Sequence, residues 1–466
     1  MIEHCCVSDL HLGALNSLFG APSRHRSPEA PSRVSQCWAH ALLHFVEPQQ
    51  AAERPRLVLL GDTMDLQFSP RAAAACEAVR VLGDLASTNV LHDEILATAG
   101  NHDHALWTDA RTAIQSRLSF SFDDDLFADR PATKAFEPDP MARSRVLDEV
   151  GRRSGFTSVD LRYPNIGLCR GDNAVVLHHG HFHESAYRVV SRLRDHLVDV
   201  PRAPETVRSL AAENGGWIDF AWSALGDAGG TGQEAEDFYQ RMLTPTGFRR
   251  EIARWAARAA QAAADKVPGA STPAARATID RVARATLGLT LGRLREDERH
   301  HEVDALTPSA LHGLRRYLEG PTARQIEEEG CTGASGLTYI SGHTHKAYVD
   351  RIAVNGRKRP VAIVNTGGWT LNGPRLDNAE GAAMALIDGH GNTMVLRMFS
   401  TPRNGEMPPP RIEGFTYGNA RAREFKRYLE SRLETSRRQW DALSRAAHTS
   451  YRAIQHRLLR QTDRAA

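Results

Sequence analysis

Several common protein classes are excluded by what the chain does not contain. Its six cysteines, Cys5, Cys6, Cys37, Cys76, Cys169 and Cys331, show no CxxC spacing, and six in 466 residues are too few for a disulfide-built scaffold. They are expected to be buried, reduced thiols of a cytoplasmic protein. No run approaches the roughly 20 apolar residues of a membrane span. The opening MIEHCCVSD has neither a basic leader nor a long apolar core, so no signal peptide is expected. Neither charge sign dominates: 58 Lys and Arg stand against 56 Asp and Glu, a balance that neither demands nor excludes nucleic acid. No short repeat or low-complexity tract is present. The length allows a large core and two or three domains.

The chain does contain short apolar runs that end in glycine and acidic or imidazole side chains. Leu57-Val58-Leu59-Leu60 reads as a buried strand, and Gly61-Asp62 follows at once. A carboxylate at the carboxyl end of such a strand lies at the rim where open α/β sheets hold ligands. A lone buried charge is costly to desolvate, so a cation is the simplest partner, and two carboxylate oxygens can serve two cations. Residues 2–8 and Glu94 to Thr98 read as further strands. Helical periodicity lies between them at Val34, Trp38, Ala41, Leu42 and Phe45, and again from Ser69-Pro70 to about Leu85. This β-α-β-α-β order indicates an α/β fold. Hairpins are expected at 166–178, 348–366 and 382–399, and a strand at Leu337–Ser341.

Between about 185 and 335 the composition turns to Ala, Arg and Glu, and helices are expected, with starts at Thr272-Pro273 and Thr307-Pro308 and breaks at Gly229–Gly232 and Pro268-Gly269. The last stretch, about Asn419 to Asp463, reads as one long amphipathic helix or two, with a basic face. A packed helix with a solvated face is one reading of it. Homo-oligomerisation through its apolar stripe, and contact with nucleic acid or an acidic membrane, are others.

Five motifs fall at the ends of expected strands: Asp9-Leu10-His11, Gly61-Asp62 with Asp65, Gly100-Asn101-His102-Asp103, His179-Gly180-His181, and Gly342-His343-Thr344-His345. Side chains two apart on a strand point the same way, so Asp9 with His11, and His343 with His345, can aim at one point. In this order the motifs resemble the calcineurin-like metallophosphoesterase superfamily over about residues 1–184 and 336–400. The resemblance implies a β-sandwich flanked by helices: a discontinuous catalytic domain at 1–184 and 336–416, a helical insert or lid at 185–335, and a basic helical extension at 417–466. It also implies two divalent metal ions, with Mn first and Fe or Zn as alternatives. One would be held by Asp9, His11, Asp62 and His345, and the other by Asp62, Asn101, His179 and His343, with Asp62 shared. His102 would face substrate as proton donor or charge stabiliser, and Asp65 and Asp103 would orient ligands. Mixed imidazole, carboxylate and amide donors suit such ions better than calcium. The reaction expected is hydrolysis of a phosphoester by a water activated between the ions.

The substrate reading divides. SDLHLG and the helical insert are similar to the UDP-diacylglucosamine pyrophosphohydrolases, although that family has Arg where His102 stands. A phosphodiester or pyrophosphate of a nucleotide or nucleotide-sugar is one expectation. DNA-repair nucleases of the superfamily share the opening, GNHD and HGH, so a nuclease is another. A metal-free scaffold is a third. His181 could line the substrate pocket or simply start a helix. His104 could support Asp103. Arg24 and Arg26 could reach phosphate but read more simply as solvated, as does Asp123-Asp124-Asp125. Core or rim histidines satisfied by backbone suffice for His4, His92, His178 and His390.

Overall fold

The computed structural model describes residues 1–20, 32–67, 69–118, 130–197, 205–223, 306–371, 380–402, 407–416 and 419–464, with isolated positions between 250 and 277. Arg24, Arg26, Asp123-Asp124-Asp125, Gly229–Gly232, Pro268-Gly269 and Pro273 lie outside the described residues.

Two sheets pack face to face. The first has seven strands: β1 (Ile2–Val7), β2 (Arg56–Leu60), β3 (Glu94–Thr98) and β4 (Ser158–Leu161) run parallel, and β10 (Gly381–Asp388), β11 (Thr393–Ser400) and β12 (Arg411–Glu413) extend the β1 edge antiparallel. The second has five: β5 (Asn165–Arg170), β6 (Asn173–His178), β7 (Gly336–Ser341), β9 (Val361–Asn365) and β8 (Tyr348–Ile352), in that order. Within it β6, β7 and β9 are parallel. All three expected hairpins form, as β5–β6, β8–β9 and β10–β11.

The apolar run at 57–60 is explained by burial on both faces. Val58 and Leu60, with Cys6 and Leu96, meet Ile166, Leu177, Ile340 and Val364 of the opposing sheet. Leu57 and Leu59 turn to the other side, in one cluster with Trp38, Leu42, Val81 and Leu85. Those four belong to α1 (Arg33–Phe45) and α2 (Arg71–Ala86). Pro70, not Ser69, caps α2, and no side chain bonds its first N–H groups. Residues 105–165 hold more structure than their pattern suggests: α3 (Ala105–Leu118), α4 (Arg145–Ser154) and β4.

Between residues 184 and 335 the described secondary-structure elements are all helical. They include α5 (Val189–Leu197), α6 (Val207–Ile218) continuing into a π-helical turn Asp219–Ser223, α7 (Pro308–Tyr317) and α8 (Ala323–Glu328). Thr307 caps α7 by accepting from Ala310 N–H, with Pro308 at the first position. The carboxyl-terminal segment is a single 45-residue helix, α9 (Ala420–Arg464). Its stripe of Phe425, Leu429, Leu433, Trp440, Leu443, Tyr451 and Ile454 is buried on its own chain, with Trp440 edge-on to Phe45 of α1. That packing is the first of the readings of this helix, with the apolar stripe covered by its own chain.

The cysteine reading is also corrected. Cys5 and Cys6 are buried thiols, but Cys76 is exposed, and Cys169 is joined to Cys331 with Cα atoms 6.0 Å apart. The two partners are 162 residues apart in sequence. Neighbouring strands of the second sheet bring together the end of β5 and the turn before β7.

Candidate metal centre

The parallel strands β1, β2 and β3 of one sheet, and β6 and β7 of the other, end at the same edge. Asp9, Asp62, Asn101, His179 and His343 follow those ends, with His11 and His345 two residues further on. The ligand candidates do not point inward by strand alternation, as the sequence suggested. Asp9, His11, Asp62, His343 and His345 instead adopt left-handed backbone, with φ of 54°, 46°, 49°, 72° and 57°. Among the described residues the only other non-glycine there is Asn89. Each such residue costs about 1 kcal/mol or more. The surrounding ladder holds the posture: Asp9 N–H donates to Gly61 C=O, His11 N–H to Asp62 C=O, and Trp369 N–H to Asp9 C=O.

Each aspartate is oriented by one oxygen and turns the other inward. Asp62 Oδ1 accepts from His102 N–H at 2.8 Å. Asp9 Oδ2 accepts from His343 N–H at 2.9 Å and from the Ser8 hydroxyl. Asp62 Oδ2 and Asp9 Oδ1 are buried and accept no hydrogen bond among the described residues. Asp62 Oδ2 lies 3.2 Å from His179 Nε2 and 3.5 Å from His11 Nε2, and Asp9 Oδ1 lies 3.3 Å from His345 Nε2.

The imidazoles repeat this pattern. His11 Nδ1 is 3.1 Å from Asp65 Oδ2, His345 Nδ1 is 2.8 Å from the Thr370 hydroxyl, and His179 Nδ1 is 3.0 Å from Leu60 C=O. Burial lowers the pKa of His11 and keeps it neutral. With its proton held at Nδ1 by Asp65, its Nε2 presents a lone pair to His345 Nε2 only 3.0 Å away. His179 Nε2 faces Asn101 Oδ1 at 3.1 Å as well as Asp62. Lone pairs crowded at these distances repel unless a positive charge lies among them. The field says the same: burial opposes charge on His179, yet Asp62 and Asp9 outweigh it and push the imidazole up to about 9. Burial likewise opposes ionisation of Asp62, but the imidazoles, His179 first, hold it well below the usual carboxylate range.

Three sets of ligand atoms each lie within 4.8 Å of one another: Asp9, His11 and His345; His11, Asp62 and His102; and Asp62, His179 and His343. These buried clusters could hold metal ions. The donor chemistry fits them, with carboxylate and imidazole converging, the outer atoms bonded and the inner ones aimed at a common region.

The remaining expected residues take distinct places. Asp65 accepts from both His11 and His102, whose Nδ1 is 3.2 Å away. Asp103 works one step further back than expected. Among the described residues it bonds no candidate ligand's side chain but accepts N–H donors from Asp62, Thr63 and Gly100 at 3.1, 2.8 and 2.7 Å, tying the second motif to the third. Burial and the Asp62 charge push Asp103 up to about 6 against those donors. His181 is fully buried among aromatic rings, 5.6 Å from the His179 ring, and burial keeps it neutral. His104 binds Asp219 at 2.7 Å and Tyr163 OH at 2.9 Å and does not touch Asp103.

Some neighbours carry no motif and were missed. Asn101 Nδ2 donates to Tyr187 OH at 3.3 Å, Trp222 lies against Tyr187, and Glu184 lies 3.4 Å from His343 Nε2. Ser223 on the π turn accepts from Ala105 N–H and donates to His102 C=O. Only Ser8, adjacent to Asp9, was open to sequence reasoning. Glycines leave room for the ligands: a Cβ on Gly100 would collide with the Asp62 carboxylate, and one on Gly342 with Ser8 and Asp9. Gly100→Ala is expected to cost about 1–3 kcal/mol of stability and to lower metal content, measured by chemical denaturation and elemental analysis. Unchanged stability and content would show that the loop yields.

No protein-family model and no curated protein matches the chain.

Proposed function

We propose that the protein is a metallophosphoesterase of the calcineurin-like type, hydrolysing a phosphodiester or pyrophosphate with two divalent ions. One observation carries the reading: buried carboxylate and imidazole groups that follow five strand ends form three adjoining clusters, two of them sharing Asp62, and the outer atoms of Asp9, His11, Asp62, His179 and His345 are already bonded. Asp9, His11, Asp62 and His345 would hold one ion, and Asp62, Asn101, His179 and His343 the other. When bound, such ions supply an acidified water at neutral pH and neutralise phosphoryl charge.

The chain's own groups supply the rest. Asp65 holds the His102 ring by Nδ1, which leaves Nε2 to give a proton to the leaving oxygen or to stabilise charge on the phosphate. His102 also fixes Asp62 through its main-chain N–H, so its two functions are separable. The ligands are 0 to 4% exposed, and Tyr187 and Trp222 wall one side. This enclosure favours a small nucleotide-like phosphoester over duplex at the catalytic point.

Chelation by EDTA is expected to abolish hydrolysis of bis-p-nitrophenyl phosphate and Mn to restore it, with p-nitrophenyl phosphate, nucleotide-sugars and DNA compared in the same assay. Turnover that survives exhaustive chelation would overturn the proposal.

A further inference from the structure

Helix α9 concentrates positive charge that the rest of the chain lacks. It carries 12 Lys and Arg against 5 Asp and Glu, which leaves 46 against 51 elsewhere. Eleven of those 12 cations are arginine. Arg427, Arg438, Arg445, Arg452 and Arg460 are all exposed and succeed one another at 11, 7, 7 and 8 residues. At 100° per residue they stay within about 60° of one line, which runs for about 50 Å; Glu424, Glu430, Glu434, Asp441 and Asp463 share that arc by sequence position, so the positive excess lies from Arg438 to Arg460, where Asp441 is the one acid. The buried stripe through Leu429, Trp440 and Ala447 occupies the opposite side.

Two arginines off this line are already engaged, Arg432 with Glu47 and Arg437 with Glu434. Among the described residues, the five on the line are in no ion pair. The last turns of the helix reach the loop that follows the first motif. Arg457 donates to Leu15 C=O in the loop that leaves His11, and Ser17 of that loop pairs with Thr370, the hydroxyl partner of His345.

We propose that this row binds the phosphate backbone of nucleic acid, a property beyond the hydrolytic reading and independent of it. Guanidinium groups at regular spacing match a linear polyanion and bind phosphate bidentately. An acidic membrane fits less well. Interfacial helices insert an apolar face, and here that face is covered by the protein's own α1 and β11, with Leu459 the one large apolar side chain exposed on the described part of the helix.

The test is titration of labelled duplex DNA and of duplex RNA by fluorescence anisotropy at several salt concentrations. The wild-type chain is compared with R438Q/R445Q/R452Q, and anionic vesicles form a third arm. The expected result is salt-dependent binding to at least one nucleic acid, on the order of 10²-fold weaker in the variant near 0.1 M salt. The slope of log affinity against log salt should shrink by about 3. Melting and bis-p-nitrophenyl phosphate turnover should be unchanged, since all three residues are exposed and lie outside the centre. No nucleic-acid binding by the wild type, equal binding by the variant, or tighter binding to vesicles than to either nucleic acid would overturn the proposal. Loss of turnover in the wild type would instead count against the hydrolytic reading alone.

Discussion

Asp62→Asn is expected to lower turnover by at least about 10³-fold, the scale of removing a central catalytic group. The amide keeps the shape and can still accept from His102 N–H where Oδ1 does now. The inward atom is what changes. A carboxylate oxygen 3.2 Å from His179 Nε2 and 3.5 Å from His11 Nε2 becomes either a neutral oxygen or an NH2 donor. Both halves of the centre lose their shared anion at once, so metal content should fall with activity. Far-UV circular dichroism should not change, because the outer hydrogen bond survives. A variant with full activity, or one inactive with its full metal content, would break the claim that Asp62 serves both halves.

His102→Ala is expected to separate chemistry from metal binding. The side chain removed contacts Asp65 and stands edge-on to His11 with ring centroids 4.6 Å apart. The main-chain N–H that orients Asp62 remains. Metal content should therefore stay at the wild-type level while turnover falls about 10²–10⁴-fold, the usual worth of a positioned acid or base. The loss should be greatest for alkoxide leaving groups and smallest for p-nitrophenolate, which needs no proton. Equal loss across leaving groups would assign His102 to charge stabilisation and positioning. Loss of metal would make it a ligand, as its closeness to His11 and Asp62 permits.

The convergence of the candidate residues was legible in sequence because the parts are local. A short apolar run followed by a candidate ligand recurs at β1, β2, β3, β6 and β7, with a glycine beside it at all but the first, and the topology places those ends at one edge. The way the side chains turn inward was not legible. Strand alternation suggested that Asp9 and His11 share a direction, whereas left-handed residues past the strand ends aim them. That conformation is rare outside glycine, and the sequence carries no sign that the surrounding hydrogen bonds will enforce it.

Contacts made across long separations were equally silent. Tyr187 and Ser223 reach the third motif, and Asp219 the His104 that follows it, from helical segments with no motif of their own, and Cys169 meets Cys331 only because β5, β6 and β7 are neighbours. α3 was missed because its apolar residues form a weak stripe; its burial of Trp107, Ala110 and Ile114 is set by tertiary packing. The carboxyl-terminal helix was legible as amphipathic, but its covering surface was not.

The most direct test of the central claim is anomalous diffraction from crystals grown with Mn. The account predicts two peaks, both touching the carboxylate of Asp62, one beside His11 and His345 and the other beside His179 and His343. A single peak, no peak, or two ions that leave Asp62 untouched would contradict it.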